Sequence, residues 1–171
     1  MESTQLRQHI LITFCLWLSI ALLGGCVSIN IPKSEAVKAS NIQFSPPSTP
    51  YIRIDLDELD NTWKNPSNGN TISFLSNCND PSDPSLKGIR TEIIARIENS
   101  KIENESYFNY NNRGALRSQI TGRVEGVSTQ FDVVILKKNS CIYIINYVGS
   151  EKSYQVDLET FNNFIEGFKV Q

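Results

Sequence analysis

The second half of the chain alternates apolar and polar residues between short turns. The alternating segments are Tyr107–Asn111, Ala115–Val124, Val127–Lys137 and Cys141–Val148. Between two of them stands Glu125-Gly126, where the glycine supplies the positive φ that a hairpin corner requires. Because side chains on one face of a strand recur at every second position, the pattern predicts a four-stranded antiparallel meander.

Two other segments repeat apolar residues with helical spacing. One runs from Leu86 to Ile97 and follows Asp83-Pro84, a pair typical of an N-cap and a first helical position. The other follows a capping Asp157 and carries Phe161, Phe164, Ile165 and Phe168. Both patterns predict amphipathic helices that bury one apolar face.

Two shorter apolar segments, Tyr51–Leu56 and Thr71–Leu75, predict two more strands, the second ending near Cys78. The predicted order is strand, strand, helix, four antiparallel strands, helix. Amphipathic helices need a partner layer, and here only a sheet can provide it. The predicted fold class is therefore α+β, an antiparallel meander sheet covered by two amphipathic helices.

An apolar run of 14 residues, Ile10–Leu23, lies near the N-terminus behind Arg7. As a helix it would be about 21 Å long, which is shorter than the roughly 30 Å hydrocarbon core of a bilayer. Length and flanks therefore favour a cleaved signal peptide over a membrane-spanning helix.

The run ends in Leu23-Gly24-Gly25-Cys26, which resembles the bacterial lipobox. The resemblance implies cleavage between Gly25 and Cys26 and lipidation of Cys26, where several acyl chains give stable attachment. Val27 stands where an inner-membrane retention signal would have Asp, so the resemblance implies an outer-membrane lipoprotein facing the periplasm. The alternatives are an ordinary signal peptide with an incidental cysteine and an uncleaved anchor.

These features divide the chain into three parts: a signal peptide (1–25), a lipidated N-terminus with a flexible tether (26–50) and a globular domain (51–171). The tether is predicted from four prolines and a lack of apolar periodicity up to Pro50. The alternative for this stretch is an N-terminal strand docked on the sheet, with Ile42 and Phe44 as its apolar residues.

Composition narrows the possible functions. The chain has 16 basic and 18 acidic residues, and the signal peptide contains one of each, Arg7 and Glu2, which leaves 15 and 17. The remaining chain thus has no excess of positive charge to bind phosphates, so nucleic acid is not an expected partner. The single histidine, His9, also lies in the signal peptide. Its loss argues against catalysis by imidazole and against histidine-ligated metal sites, and no cofactor, metal or catalytic residue is predicted.

Two cysteines, Cys78 and Cys141, lie within the predicted domain. In an oxidising compartment they favour one disulfide, which would close a loop of 63 residues and stabilise the fold by about 4 kcal/mol. Two buried free thiols are the alternative.

Aromatic and basic side chains give the candidate binding surface, namely Trp63, Arg113 and Arg117. Arg117 and Arg123 share a predicted strand face. One hypothesis is that they form an anion-binding strip near the hairpin, and the other is that they are exposed charges on the solvated face of the sheet. Further aromatic candidates, which core packing would equally explain, are Tyr107, Phe108, Tyr110, Tyr143 and Tyr147.

An acidic cluster provides the one catalytic alternative. Asp55, Asp57, Glu58 and Asp60 lie close in sequence and could bind a hard cation, although a solvated turn explains them better because a calcium loop's glycine and distal glutamate are missing. Asp57 and Asp60 could instead act as the carboxylate pair of a histidine-free hydrolase.

The predicted domain resembles the PsbP-like/DcrB-like fold. The resembling residues are Trp63 with Gly69–Ile72, the strand-turn-strand about Glu125–Val127, and a Phe161-x-x-Phe164 helix that ends in Phe168–Val170. The resemblance implies an accessory, assembly or binding protein without a shared active site. Together the patterns predict a noncatalytic envelope lipoprotein, attached to a membrane by its lipid, that binds an envelope protein or small ligand.

Overall fold

The computed structural model describes residues 37–78 and 80–171. Its elements in chain order are β1 (Ile42–Gln43), β2 (Ile52–Ile54), β3 (Asn61–Lys64), β4 (Thr71–Cys78), α1 (Leu86–Ile94), β5 (Glu98–Tyr110), β6 (Arg113–Val124), β7 (Val127–Lys138), β8 (Cys141–Ser150), α2 (Leu158–Gly167) and β9 (Lys169–Val170). A 3₁₀ turn, Tyr154–Asp157, precedes α2. No helix in this part of the chain is long and apolar enough to span a bilayer.

Seven strands form one antiparallel sheet in the order β2-β3-β4-β8-β7-β6-β5. The predicted meander is its β5–β8 half. β8 is an interior strand between β4 and β7, as its apolar centre predicts. The α+β fold class with two helices on an antiparallel sheet is confirmed.

Each face of the sheet carries its own core. Phe161, Phe164 and Phe168, contributed by α2 and the residue after it, pack among tyrosines and phenylalanines on one face. On the other face α1 packs mainly isoleucines and valines, Ile89 among them. Residues Asp132–Leu136 of β7 are all buried because successive side chains enter opposite cores.

The segment that precedes β2 is docked on the α2 side of the sheet. β1 pairs with β9, with Ile42 opposite Val170, and Phe44 packs in the aromatic core. Over residues 37–50 the segment is therefore docked, as the alternative to a flexible tether predicted, although β1 pairs with β9 and not with the seven-stranded sheet. The reason is a contact with the chain's far end, which local composition cannot reveal. The signal peptide and the rest of the tether lie outside the described residues.

Cys78 and Cys141 are joined by a disulfide, one of the two predicted alternatives. The two residues are direct cross-strand partners at the ends of β4 and β8. Val37 forms an isolated bridge to Cys78, whose N–H donates to the Val37 carbonyl at 2.8 Å. Val37 therefore lies beside the disulfide.

Some predicted boundaries are wrong. β3 forms between the two predicted strands Tyr51–Leu56 and Thr71–Leu75, where no strand was predicted, and β5 begins nine residues before the predicted Tyr107. α1 is capped by Ser85 and not by the predicted Asp83. The Ser85 hydroxyl accepts the Gly88 N–H at 3.0 Å. Asp83 has a left-handed φ of 40°, whereas an N-cap residue normally has an extended backbone.

Candidate functional site

Arg117 of β6 forms a two-point ion pair with Asp132 of β7 on the α2 side of the sheet. Its Nε donates to one carboxylate oxygen at 2.8 Å, and its Nη2 donates to the other at 2.7 Å. The Asp132 side chain is 0% exposed, whereas 28% of the Arg117 side chain faces solvent. Such fork-to-fork pairing fixes the plane of the guanidinium.

Helix α2 provides two more contacts to the same guanidinium. Nη2 also donates to the Asn162 side-chain carbonyl at 2.8 Å, and the guanidinium carbon lies 5.7 Å from the centre of the Phe161 ring. Hydrogen bonding to Asp132 outweighs burial and raises the pKa of Arg117 above its usual value. Arg117 is therefore a rigid, permanently charged group.

A cleft of about 290 Å³ opens beside this arginine. Apart from Leu158, every lining residue is polar: Asn104, Ser106, Arg117, Gln119 and Asn162. In the described part of the chain, the hydrogen bonds of the Arg117 guanidinium are donated by Nε and Nη2, so the two N–H groups of Nη1 stay available. The cleft therefore offers unused donors at its edge.

The cleft continues along the part of the sheet that α2 leaves uncovered. Gln119 also lines an adjoining depression of about 160 Å³. This second depression shares Glu103, Thr121 and Gln130 with a third of about 350 Å³, which includes Arg123. We call these three joined depressions the polar groove. Amides and hydroxyls dominate its wall, as suits an extended polar ligand.

The charge of the cleft is nearly balanced. Asp132 compensates Arg117, and the other five lining residues carry no charge. An arginine whose charge is balanced by a carboxylate attracts anions less than an unpaired arginine does. The cleft thus favours ligands that are rich in carbonyl and hydroxyl groups over strongly anionic ones.

The predicted arginine strip is not continuous. Arg113 is exposed and lines a different depression of about 480 Å³, together with Lys137, Lys138 and two aspartates. Arg123 donates to the Gly126 carbonyl of its own hairpin. Of the three arginines, Arg117 alone lines the cleft of about 290 Å³, where Asp132 and α2 hold it in place.

Trp63 is not part of a binding surface, and that prediction is wrong. Its side chain is 4% exposed, with its ring centre 5.6 Å from that of Phe44 and 5.5 Å from that of Phe164. Phe44 comes from the docked N-terminal segment and covers the indole. Trp63 is therefore a core residue.

Most of the other aromatic candidates are core residues as well. Tyr110, Tyr143 and Tyr147 are buried, and the Tyr110 hydroxyl donates to the carbonyls of Ile165 and Phe168 at 2.7 and 3.1 Å. Burial raises the pKa of the Tyr110 hydroxyl above its usual value. Tyr107 differs from them, because it is 59% exposed.

Asp57 and Asp60, the alternative carboxylate pair, line one cleft of about 300 Å³. The Asp60 carboxylate is 3.3 Å from the Lys38 ammonium and accepts the Ser76 hydroxyl at 2.5 Å. Among the described residues, no group of three cysteine, histidine or acidic side chains is arranged to hold a metal ion. Both oxygens of the Asp60 carboxylate are thus engaged by groups of the chain itself.

A buried polar centre around Asp157 was not predicted. Asp157 stands at the predicted cap position, but its side chain makes no capping hydrogen bond. One carboxylate oxygen instead accepts four side-chain donors, from Asn68 at 2.8 Å, Asn70 at 2.9 Å, Asn65 at 3.0 Å and Tyr51 at 3.2 Å. In the sequence, Asn65-Pro66 and Asn68-Gly69 indicate only a turn, and no local signal connects that turn to Asp157.

These donors determine the charge state of Asp157. Burial alone would raise its pKa, but the hydrogen bonds from Asn68, Asn70, Asn65 and Tyr51 outweigh burial and lower it. Burial and the nearby carboxylate raise the pKa of the Tyr51 hydroxyl. Asp157 therefore stays ionised and ties the β3–β4 turn to the start of α2.

No protein-family model matches the chain, and no curated protein sequence matches it. Solved structures do resemble it. The cyanobacterial PsbP protein of Synechocystis (CyanoP) is 12% identical, with a TM-score of 0.57 over 87% of this chain and 99% of CyanoP. LpqN of Mycobacterium tuberculosis, described as involved in cell envelope biogenesis, is 8% identical, with a TM-score of 0.55 over 82% and 87%.

A third structure is PA94 of Pseudomonas aeruginosa, a protein of unknown function. It is 11% identical, with a TM-score of 0.50 over 77% of this chain and 83% of PA94. At such identities the likeness concerns the fold alone. The described domain has the PsbP-like fold that its element order predicts.

Proposed function

We propose that this chain is a noncatalytic, lipid-anchored binding protein of the bacterial cell envelope. Cys26 carries the anchor, and the domain faces the periplasm from the outer membrane. Its ligand is an uncharged glycan strand with amide-bearing sugars, which lies in the polar groove and contacts Arg117. The observation that carries the ligand assignment is a rigid arginine with unused Nη1 donors in a nearly neutral cleft.

The chemistry of the groove supports this ligand class. Acetamido sugars present carbonyl acceptors for Arg117 and hydroxyls that can pair with Asn104, Ser106 and Gln119. The groove extends over three joined depressions, which favours a chain over a single small molecule. Because Asp132 balances the arginine, a neutral ligand does not leave an uncompensated charge.

The compartment rests on the N-terminal sequence. Leu23-Gly24-Gly25-Cys26 behind an apolar run supports lipidation, and a disulfide between Cys78 and Cys141 is in keeping with an oxidising envelope. LpqN, which shares the fold, is involved in cell envelope biogenesis. The absence of histidine after residue 25 and the engagement of Asp60 support a noncatalytic role.

Binding is tested by calorimetric titration of the lipidated protein in detergent with a tetramer of N-acetylglucosamine. The double variant Asn104→Ala, Ser106→Ala removes two exposed cleft groups that make no hydrogen bond within the described part. It should weaken binding about thirtyfold, since two lost hydrogen bonds at about 1 kcal/mol each amount to about 2 kcal/mol. Arg113→Ala removes an arginine that lies on β6, as Arg117 does, but outside the cleft, and this variant should bind as the unaltered protein does.

Equal binding by the double variant, or no binding by the unaltered protein, would refute the ligand assignment. The anchor is tested separately by labelling cells with a radioactive fatty acid. Cys26→Ser should lose the label and accumulate as an uncleaved precursor. A label that persists in this variant would refute lipidation of Cys26.

A further inference from the structure

β5 is an edge strand whose two halves differ. Its pairing with β6 shifts register between Glu98 and Lys101 and again between Ile102 and Asn104. From Asn104 to Tyr110 the register is continuous. No strand in the described ranges pairs with the outer side of β5.

The irregular half is protected against pairing with another chain. It contains Glu98, Lys101 and Glu103, and bulges and charges both discourage edge-to-edge contact. The regular half, Asn104–Tyr110, has a single charged residue, Glu105, and neither proline nor glycine. Its most exposed large side chain is Tyr107. The second half is thus an open template for a further strand.

The backbone groups that face outward follow from the β5–β6 turn. Asn111 and Asn112 have φ values of 53° and 61°, so Tyr110 and Arg113 close a two-residue turn as a hydrogen-bonded pair. Hydrogen-bonded and non-hydrogen-bonded pairs then alternate along the ladder. Glu105, Tyr107 and Asn109 therefore direct their N–H and C=O groups away from β6.

We propose that this edge pairs with the same edge of a second copy, antiparallel and centred on Tyr107. In this register Tyr107 lies opposite Tyr107 of the second copy, and Glu105 lies opposite Asn109. All three outward residues form hydrogen-bonded pairs. The Glu105 carboxylate is 3.4 Å from Arg90 of its own chain, so no unpaired charge is placed at the seam, and the Asn109 amide can donate to the exposed part of that carboxylate. The strand is thus complementary to itself in backbone hydrogen bonding.

Neighbouring registers form fewer regular backbone pairs. Centring the pair on Ser106 places Asn109 opposite Glu103, which lies in the irregular part of β5. Centring it on Phe108 places Glu105 opposite Asn111, whose positive φ belongs to the turn. Each shift leaves two regular hydrogen-bonded pairs, whereas the register centred on Tyr107 forms three.

Such pairing would also join two ligand clefts. A two-fold axis perpendicular to the sheet places both α2 faces on the same side. Asn104 and Ser106 line the Arg117 cleft and belong to the pairing strand, so the clefts of the two copies would adjoin at the seam. The self-association does not depend on the ligand proposed above.

The test is density-matched sedimentation equilibrium of the full chain in detergent over a range of protein concentrations. Asn109→Lys faces Glu105 of the second copy and should tighten the dimer about fivefold, whereas Asn109→Glu should weaken it about fivefold, given two symmetric pairs. Tyr107→Pro removes an outward N–H without affecting the β5–β6 ladder and should abolish the dimer. Tyr107→Thr retains the N–H and should preserve dimerisation.

Amide hydrogen exchange locates the contact. At protein concentrations that favour the dimer, the N–H groups of Glu105, Tyr107 and Asn109 should become protected in the unaltered chain and stay unprotected in Tyr107→Pro. The proposal is refuted if the unaltered chain and Asn109→Lys are both monomeric. It is equally refuted if Tyr107→Pro associates as the unaltered chain does, or if the two Asn109 variants shift association in the same direction.

Discussion

Asp132 has no solvent exposure and receives both of its strong hydrogen bonds from Arg117, its diagonal neighbour on β6. The remaining contacts of the carboxylate are long, from the Gln119 amide and the Tyr154 hydroxyl, both at 3.4 Å. The charge of Asp132 therefore depends on Arg117 for its compensation.

Replacing one member of this pair should be far more harmful than replacing both. Arg117→Ala leaves a buried carboxylate without a counter-charge and should lower the free energy of unfolding by about 3 kcal/mol. The double variant Arg117→Met, Asp132→Leu should lose less, because no charge remains buried. Urea unfolding monitored by circular dichroism measures both, with Arg113→Ala as an exposed-arginine control that stays within about 0.5 kcal/mol. A double variant less stable than Arg117→Ala would contradict this interpretation.

Asp157 should make the domain sensitive to acid. Its pKa is lower in the folded protein than its usual value of about 4. Its contribution to stability is therefore fully present above that pH and is lost as pH falls through the folded pKa. Asp157→Asn should be destabilised by about 1 to 3 kcal/mol at pH 7, and the difference from the unaltered protein should shrink towards pH 2.

The measurement is the free energy of unfolding in urea at pH 7, 4 and 2.5. Asp57→Asn is the matched control, because Asp57 is exposed and makes no side-chain hydrogen bond to the described residues. Its stability should follow that of the unaltered protein at each pH. A constant difference for Asp157→Asn at all three values would show that ionisation of Asp157 does not contribute.

The disulfide should account for a large share of the domain's stability. It closes a loop with a sequence separation of 63, for which chain entropy predicts about 4 kcal/mol. In the double variant Cys78→Ala, Cys141→Ala the free energy of unfolding, measured in urea, should be lower by that amount. Reductant should destabilise the unaltered protein and leave the variant unchanged. Two thiols that react with an alkylating agent without prior reduction would contradict the bridge.

Local sequence predicted the parts of the fold whose signals are local. The Glu125-Gly126 corner adopts φ values of 49° and 79°, as a tight hairpin turn requires. The phenylalanines of α2 are buried because their spacing matches the helical repeat. The first half of β5 shows no alternation of apolar and polar residues because it lies at the solvent-exposed edge of the sheet. β3 has only four residues, too few for such an alternation to be recognised.

The parts that could not be predicted depend on contacts between distant residues. Trp63 is covered by Phe44, a residue that composition assigns to a tether. Arg117 could be identified as a basic residue on a strand face, but its partners Asp132 and Asn162 lie 15 and 45 residues away. Likewise Asp157 receives its four donors from residues 87 to 106 positions earlier. Site geometry is a property of the folded chain.

The disulfide protects the centre of the sheet against local opening. Cys78 and Cys141 are covalently linked at the adjoining ends of β4 and β8, two neighbouring interior strands. While the bond is intact, these strands cannot fray at that end. In the reduced domain only hydrogen bonds and side-chain packing would hold them together there.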